Sequence, residues 1–211
     1  MPWFLPTMTV NFDTPDPSLY PYAVVVDVET TGLPSVDGTP TKSKLNADPE
    51  CYPRIVQIAW LVLAENGKLV SKGASYVKQE HAIPSSATAI HGISTEYANA
   101  KGRDLKYVLG EFVKQIEYCD VLVAFNVEFD QYTIEADCIR AGMPKPFKGM
   151  KKFCAMKKSE PVTGRRFIKL EKAVEKVGIR FKQPLPDHVK EHNAELDCVH
   201  AACIYLHLKN N

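Results

Sequence analysis

An unbroken apolar run that ends in two acids most constrains what this chain can fold into. Residues 22–28 read YAVVVDV and follow Pro21, which is the pattern of a buried central strand. The run leads directly into Asp27 and Glu29. Because burying an unpaired carboxylate is costly, the strand must either reach solvent at these acids or give them a partner.

Asp27 and Glu29 are two residues apart, which places both side chains on one face of a strand. They lie near its carboxyl end, where open α/β sheets place ligands. Adjacent carboxylates repel each other, and a divalent cation between them removes that repulsion. All-oxygen ligands favour Mg²⁺ or Mn²⁺ over Zn²⁺. A solvated strand end is the alternative, since two acids at this spacing are common, and a metal site therefore needs further acids nearby.

Two further acids stand at suitable places. Asp130 falls in the first turn of a helix that follows the apolar stretch DVLVAF, with Asn126 as a natural N-cap. Asp197 falls in the first turn of the last helix, and His192 precedes it by five residues. Residues five apart on a helix are separated by about 140° around its axis, so His192 must lie on the preceding loop to face the same site.

The remaining pattern predicts a mixed sheet with helices on both faces. The stretches RIVQIAWLVL and KLVSKGASYV indicate two strands joined at Asn66-Gly67, a pair typical of type I′ hairpin turns. DVLVAF adds a strand, and helical periodicity follows Pro84. A hairpin followed by alternating helices and strands favours an α/β fold. Four helices are predicted. The first begins after Asp104, the second spans 127–141 and ends before Gly142, and the third lies in FIKLEKAVEKVG and ends before Gly178. The fourth spans 194–208, with Leu196, Val199, Cys203 and Leu206 inward.

A chain of 211 residues suits one domain. We expect an N-terminal arm at 1–21 and a single domain at 22–211, with a proline-rich, irregular loop insertion at 34–53. The six scattered cysteines predict reduced thiols. No apolar run approaches the roughly 18 residues of a membrane span and no signal peptide is evident, which predicts a soluble, intracellular protein without a membrane partner.

Residues 145–182 carry 13 Lys or Arg against 3 Glu, although the whole chain has a formal net charge of only +1. Such an asymmetry could place a basic lip beside an acidic pocket, as a nucleic-acid enzyme requires. A solvated helix face with a lysine-rich loop explains the same charges.

Three segments together carry a family resemblance. DVETTG, NVEFD and HNAELD, in this order, resemble the three motifs of the DEDDh exonucleases, the DnaQ-like branch of the ribonuclease H-like superfamily. IHGI at 90–93 resembles a further segment of those proteins. The resemblance covers about residues 22–208 and implies a ribonuclease H-like, mixed five-stranded sheet, three antiparallel strands and then parallel ones, flanked by helices.

The resemblance also implies roles for individual residues. Asp27 would bridge two divalent cations, Mg²⁺ or Mn²⁺, Glu29 and Asp197 would complete the shell of one, and Asp130 would hold the other. His192 would be the general base. The implied substrate contacts are Thr30, Thr31, Leu33, His91 and Asn126. A turn threonine or an exposed leucine also has ordinary structural uses, and His91 could equally make local hydrogen bonds at a helix end.

The implied activity is 3′–5′ exonuclease action that releases nucleoside 5′-monophosphates, with single-stranded or 3′-frayed nucleic acid as partner. The ETTG form of the first motif favours DNA over RNA by analogy alone. An oligoribonuclease-like enzyme and a non-catalytic nucleic-acid-binding or interaction module on the same fold are the alternatives.

Phe125 stands where many relatives have His, and we expect its ring to pack rather than to stack on a base. The sequence does not indicate a protein partner.

Overall fold

The computed structural model describes residues 14–35, 41–179 and 193–209. The described part contains a five-stranded sheet that two helical layers cover. Its strands are β1 (Ala23–Thr30), β2 (Ile55–Leu63), β3 (Leu69–Tyr76), β4 (Val121–Ala124) and β5 (Lys151–Cys154).

The apolar run of β1 forms the centre of the sheet, as predicted. The strand order is β3-β2-β1-β4-β5. β1 pairs antiparallel with β2, which pairs antiparallel with β3, whereas β4 runs parallel to both β1 and β5. This is the mixed sheet that the sequence predicts, with antiparallel strands on one side of β1 and parallel strands on the other.

The helices lie on both faces of this sheet, again as predicted. One core cluster joins the face of β1 that carries Val25 to the last two helices, and a second joins the face that carries Val24 to helices from the middle of the chain. None of the helices in the described ranges is both long and apolar enough to cross a bilayer. The helices are α1 (Lys42–Ala47), α2 (Ser85–His91), α3 (Thr95–Lys101), α4 (Leu105–Ile116), α5 (Val127–Arg140), α6 (Ala155–Thr163), α7 (Leu170–Val177) and α8 (Ala194–Lys209).

Several helix ends confirm the sequence prediction. The carboxylate of Asp104 accepts a hydrogen bond from the Tyr107 amide and begins α4. Gly142 and Gly178, with φ of 67° and 82°, follow α5 and α7 in the left-handed conformation that favours glycine. In α8 the predicted inward face is partly wrong. Cys203 and Leu206 are buried but Leu196 and Val199 are only half-buried, because small residues such as Ala201 and Ala202 let the helix lie closest to the sheet along another line.

The β2–β3 hairpin is confirmed, but its predicted turn type is wrong. The amide of Gly67 donates to the Ala64 carbonyl at 2.9 Å, so Glu65 and Asn66 occupy the central positions of the turn. Gly67 follows them with φ of 84°. A Cβ atom at this position would lie 2.8 Å from Leu206 Cδ2 of α8, so glycine serves both the backbone conformation and the packing.

The insertion at 34–53 is not wholly irregular, contrary to the prediction. It contains α1 and a short 3₁₀ helix (Pro49–Cys51). The guanidinium of Arg140, on α5, holds this segment through main-chain carbonyls: it donates to Pro49 O, to Tyr52 O at 2.6 Å and to Pro53 O at 3.4 Å. A tertiary contact of this kind fixes the segment although its own sequence reads as a loop.

Asp137 completes that attachment from inside the protein. Its carboxylate contacts the Arg140 guanidinium at 2.6 Å and accepts the amide of Ile55, the first residue of β2, at 2.9 Å. Burial raises the pKa of Asp137, while the Ile55 and Arg140 hydrogen bonds lower it. One buried ion pair therefore joins the insertion, the start of β2 and the helix that carries Asp130.

Candidate active site

Asp27 and Glu29 extend from the face of β1 that α8 covers. Residues 23 and 25 belong to the core cluster on that face, and strand alternation places residues 27 and 29 there as well. Asp27 pairs across the sheet with Ala59 and Glu29 with Gln57. Glu29 is only 9% exposed. Glu29 is therefore buried and Asp27 half-buried at the end of the apolar strand, so neither acid is fully solvated.

Asp197 reaches the same place from α8. The main-chain carbonyl of Asn193 accepts the Asp197 amide at 3.0 Å, and the Asn193 side chain accepts the Glu195 amide at 3.0 Å, which defines the start of the helix. Carboxylate oxygens of Asp27, Glu29 and Asp197 lie within 4.8 Å of one another. Three acids from the two ends of the chain thus form one group.

Asp130 approaches this group from the first turn of α5, which directly follows β4. It is 3% exposed, and its charge raises the pKa of Asp27 and of Glu29, so it lies close to both. Backbone hydrogen bonds at Asp130 and Val28 lower the pKa of its own carboxyl, but burial outweighs them. Asp130 is therefore the fourth member of the acidic site.

The buried carboxylates of the site raise one another's pKa. Burial is the largest cause of a raised pKa at each of Asp27, Glu29 and Asp130, followed at Asp27 and Glu29 by repulsion from the other carboxylates. The pKa of Glu29 is raised to about 8, that of Asp130 to about 8, and that of Asp27 well above its usual range. Glu29 and Asp130 therefore favour the protonated form at neutral pH unless positive charge joins them.

The chemistry of the donors fits divalent cations. No ion pair among the described residues connects a Lys or Arg side chain to Asp27, Glu29 or Asp130. The site offers carboxylate oxygens at a spacing that one ion can share. Hard, oxygen-preferring cations such as Mg²⁺ or Mn²⁺ match this donor set.

The predicted substrate residues at and after the end of β1 directly follow Glu29 in the chain. The Thr30 hydroxyl donates to Gly32 O at 2.7 Å. Thr31 donates its amide to Arg54 O at 3.0 Å and accepts the Arg54 amide on its hydroxyl at 3.0 Å, so both groups stabilise the turn. Leu33 is 81% exposed at the surface. A substrate contact by Thr30, Thr31 or Leu33 stays a prediction. Of these three side chains, only that of Leu33 is exposed, whereas both threonine hydroxyls form hydrogen bonds within the turn.

His91 contacts the main chain of this turn. The sequence left open whether His91 contacts substrate or makes local hydrogen bonds at a helix end, and the structure shows the hydrogen bonds. His91 ends α2, is 6% exposed, and its Nδ1 accepts the Ile93 amide at 3.1 Å. With Nδ1 as acceptor, Nε2 carries the proton and donates to Thr30 O at 3.2 Å. His91 therefore positions the main chain that follows Glu29, and its role as a substrate residue stays a prediction.

The other predicted residues differ in their placement. Asn126 occupies the N-cap position of α5 but its side chain makes no capping bond and is exposed. The ring of Phe125 packs against both core clusters, as expected. His192 lies outside the described residues, so its position relative to the acids stays a prediction.

The sequence analysis overlooked Gln57, which touches the site from β2. It is 2% exposed, lies opposite Glu29 in the sheet, and its side-chain oxygen accepts the amide of Ala194 at 3.4 Å. This contact joins the strand to the first residue of α8, three positions before Asp197. A single amide inside the otherwise apolar strand RIVQIAWLVL was the available signal.

A mixed sheet of this order, with clustered carboxylates at the carboxyl end of its central strand, defines a ribonuclease H-like fold. Comparison with known families refines this class. Residues 24–205 match the RNase_T family model, described as exonuclease, and the chain belongs to this DnaQ-like exonuclease family.

Individual relatives are distant. The chain is 24% identical over 183 residues to the DNA polymerase III subunit epsilon of Buchnera aphidicola subsp. Schizaphis graminum, which covers 87% of this chain and 72% of that protein. The structure is similar to E. coli exonuclease I in complex with a dA16 oligonucleotide, at 15% identity and a TM-score of 0.66. It is also similar to exonuclease I from Methylocaldum szegediense, at 14% identity and a TM-score of 0.67. Each match covers 90% of this chain but only 41% and 40% of those chains, and at this identity the likeness shows the fold.

Proposed function

We propose that this exonuclease acts on 3′ ends, in the 3′–5′ direction, with two divalent cations, and that it favours DNA. One observation carries the proposal: the carboxylates of Asp27, Glu29 and Asp197 lie within 4.8 Å of one another, with buried Asp130 beside them. Four acids from three parts of the chain would repel one another in any role that lacked cations. This arrangement argues against a module that only binds.

Each acid has a distinct place in the proposed site. Asp27 would be shared by both cations, Glu29 and Asp197 would hold one, and Asp130 would hold the other. When bound, two such cations stabilise the attacking and leaving oxygens of an in-line displacement at phosphorus. Glu29, Asp130 and Asp197 are buried, so the packing around them restricts the motion of their carboxylate oxygens. Little reorganisation of these ligands would then accompany the reaction.

The protein residues around the acids would supply the rest of the chemistry. His192 takes a proton from the attacking water, which forms a new bond to phosphorus while the bond from phosphorus to the 3′ oxygen of the preceding nucleotide breaks. Exposed Leu33 contacts the terminal bases, and exposed Asn126 contacts the terminal nucleotide. The released product is a nucleoside 5′-monophosphate.

The names of the similar proteins support DNA over RNA. The E. coli exonuclease I structures include complexes with dA16 and with dT13, and the Buchnera relative is a DNA polymerase subunit. These properties belong to those proteins. For this chain they make single-stranded DNA the first substrate to try.

A panel of 5′-labelled oligonucleotides tests the proposal. DNA and RNA, single- and double-stranded, would be incubated with Mg²⁺ or Mn²⁺ and resolved at single-nucleotide steps. We expect a ladder that shortens from the 3′ end, fastest on single-stranded DNA, and its loss with EDTA. Faster shortening of RNA would favour the oligoribonuclease-like alternative.

Two controls separate catalysis from binding alone. A 3′-phosphorylated oligonucleotide should resist shortening if the terminal 3′-hydroxyl is recognised, and a 5′-phosphorylated one should not. The Asp27→Asn protein should bind DNA but leave it intact. Failure of the wild-type protein to shorten any member of the panel with either metal would favour the non-catalytic binding module.

A further inference from the structure

One exposed aromatic ring lies in the basic part of the chain. The loop between α6 and α7 reads GRRFIK at 164–169, which combines three cations with a single phenylalanine and contains no acid. Phe167 is 74% exposed, although burying a ring of this size is favourable. The guanidinium of Arg166 lies 5.6 Å from the centre of the Phe167 ring. An exposed ring flanked by cations is the composition of a single-stranded nucleic-acid surface.

The backbone that carries Phe167 is fixed on both sides. Before it, the buried hydroxyl of Thr163 donates to Arg165 O at 3.2 Å and accepts the Arg165 amide at 3.3 Å. After it, the side chain of Ile168 packs against both core clusters and Leu170 is buried. The ring is therefore presented to solvent by an ordered loop, which lowers the entropic cost of binding a ligand.

The same loop connects to the acidic site through a short series of contacts. Lys157, on α6, pairs with Glu128 at 2.9 Å, and Glu128 is two residues before Asp130 in α5. The loop follows Thr163, the last residue of α6 and six positions after Lys157. The helix that leads to the loop is therefore held against the start of α5.

The start of α6 reinforces this placement. The amide of Met156 donates to Phe125 O at 3.0 Å, and the thiol of Cys154 contacts the same carbonyl at 3.2 Å. Phe125 directly precedes exposed Asn126 at the end of β4. The helix that leads to the loop is therefore attached to the main chain at the edge of the site.

We propose that Phe167 stacks on a base of the single strand upstream of the scissile nucleotide, while Arg165 and Arg166 bind the adjoining phosphates. The proposal rests on the proposed exonuclease function. Arg166 has no ion pair among the residues that the structure describes, so its charge is available to a phosphate. The terminal nucleotide would lie at the acids and the strand would leave across the start of α5 and α6.

Binding measured in EDTA tests the stacking residue without turnover. The probe is a fluorescein-labelled dT16 oligonucleotide, followed by anisotropy. Stacking of one base on an aromatic ring contributes about 1–3 kcal/mol, so Phe167→Ala should weaken the Kd by about 5- to 150-fold. Phe167→Tyr should restore it to within about threefold of wild type, since tyrosine offers the same six-membered ring for stacking. Unchanged affinity in Phe167→Ala overturns the proposal.

Tyr107 provides a matched control. Its ring is 57% exposed and lies 5.1 Å from the Arg103 guanidinium, but Glu111 neutralises that cation at 2.7 Å. Tyr107→Ala should leave dT16 affinity unchanged, and an equal loss in both alanine variants would contradict a specific role for Phe167. A tryptophan at each position adds a direct signal: DNA should quench the fluorescence of Phe167→Trp and not that of Tyr107→Trp.

The phosphate contacts have their own measurement. Each phosphate contact on single-stranded DNA contributes about 0.7 to the slope of log K against log salt, so Arg165→Gln with Arg166→Gln should flatten it by about 1.4. Lys172→Gln is the control, because Lys172 already pairs with Glu175 at 2.8 Å. An unchanged slope in the double variant would show that these cations only contact solvent.

Failure of this proposal can be distinguished from failure of the exonuclease function. Thymidine 5′-monophosphate p-nitrophenyl ester has no upstream strand, so its hydrolysis by wild-type protein reports the acidic site alone. For Phe167→Ala the ratio of kcat/KM on dT16 to that on the ester should fall by the factor found in binding. No hydrolysis of the ester or of dT16 would reject the exonuclease function, whereas an unchanged ratio would reject the stacking surface.

Discussion

The ring of His91 contacts the carbonyl oxygen of Thr30 at 3.2 Å, one residue beyond Glu29. The ladder between β1 and β2 is irregular at this point, between Glu29 and Thr30, so the sheet alone does not fix the backbone there. His91 supplies the missing constraint from α2. A residue of the IHGI segment thereby acts on the acidic site through the main chain.

Removal of His91 should affect both stability and metal use. His91→Ala leaves the Ile93 amide and Thr30 O without this partner, and we expect the free energy of unfolding to fall by about 1–3 kcal/mol. We also expect a higher Mg²⁺ concentration at half-maximal activity, because the Glu29 backbone is less constrained. Denaturant titration and metal titration measure the two effects. His91→Gln, which keeps a donor and an acceptor, should lose less in each; an unshifted metal dependence in both variants would limit His91 to folding.

Asp27→Asn should trade activity for stability. Loss of a ligand shared by both cations removes several kcal/mol of transition-state stabilisation, so we expect a rate about 10³-fold lower on single-stranded DNA. The amide also removes one of four repelling carboxylates, and the Tm in EDTA should rise. Calorimetry and a gel assay on the same preparation measure both. A lower Tm together with lost activity would instead indicate a damaged fold.

The stability of the metal-free protein should fall as pH rises. Glu29 and Asp130 titrate near 8 in the folded state, above their ordinary values of 4.5 and 3.8. Between those values and about pH 8 the folded state binds more protons than the unfolded state, so deprotonation favours unfolding. We expect Tm in EDTA to decrease through this window and then to level off. The increase in Tm caused by Mg²⁺ should grow over the same range, since the cation replaces the departing protons; a pH-independent increase would contradict the shared site.

The proposed role of His192 as general base can be tested by mutation. As a general base it should contribute about 10²–10⁴-fold to the rate, so His192→Ala should lose that much kcat and little affinity for the 3′ end. The variant should also lose the lower-pH limb of the rate profile, because an imidazole titrates near neutrality. His207→Ala, at the far end of α8, is the matched control. Wild-type rates in His192→Ala would remove it from the mechanism.

Arg140 should be among the residues on which the fold most depends outside the core. Arg140→Ala leaves buried Asp137 without its closest cation, and breaking such a pair from one side costs about 3–5 kcal/mol. Arg54 lies 4.0 Å from the same carboxylate but is far more exposed, so Arg54→Ala should cost less than about 1 kcal/mol. Urea denaturation of both variants checks the contrast. Equal losses would show that Asp137 does not depend on the closer guanidinium.

The mixed sheet around β1 and the positions of the four acids on its strands and helices could be predicted because the signals are local, whereas the five-stranded arrangement came from the family resemblance. Alternation and β-branching identify β1 and the β2–β3 hairpin, and each acid follows a strand or begins a helix. β5 could not be located: its sequence KKFC is four residues long, with its first two residues exposed, and lacks an apolar pattern. The turn type of the β2–β3 hairpin was predicted wrongly. Asn66-Gly67 fits a two-residue type I′ loop and also a longer loop in which Gly67 follows the turn, and the contact between Gly67 and Leu206 favours the longer loop.

The contacts that position the acids could not be predicted, since they join distant parts of the chain. The bond from His91 to Thr30 spans 61 residues, that from Gln57 to Ala194 spans 137, and Arg140 contacts carbonyls about 90 residues away. No periodicity reports such pairs. Asp137 likewise reads as an ordinary charged position on α5 until the insertion covers it.

The attachment of the insertion through Arg140 has a consequence for protein engineering. Carbonyl groups are present at every position, so the three main-chain acceptors of the guanidinium do not depend on side-chain identity, and within the 3₁₀ segment Glu50 alone adds a side-chain contact to Arg140, at 3.2 Å. With Glu50 kept, the other outward residues of that segment can therefore be redesigned, for instance to change substrate preference at the neighbouring turn, while the carbonyl contacts to Arg140 remain. Because one guanidinium donates to several carbonyl oxygens, lysine cannot replace Arg140: its single ammonium cannot reach several divergent acceptors at once.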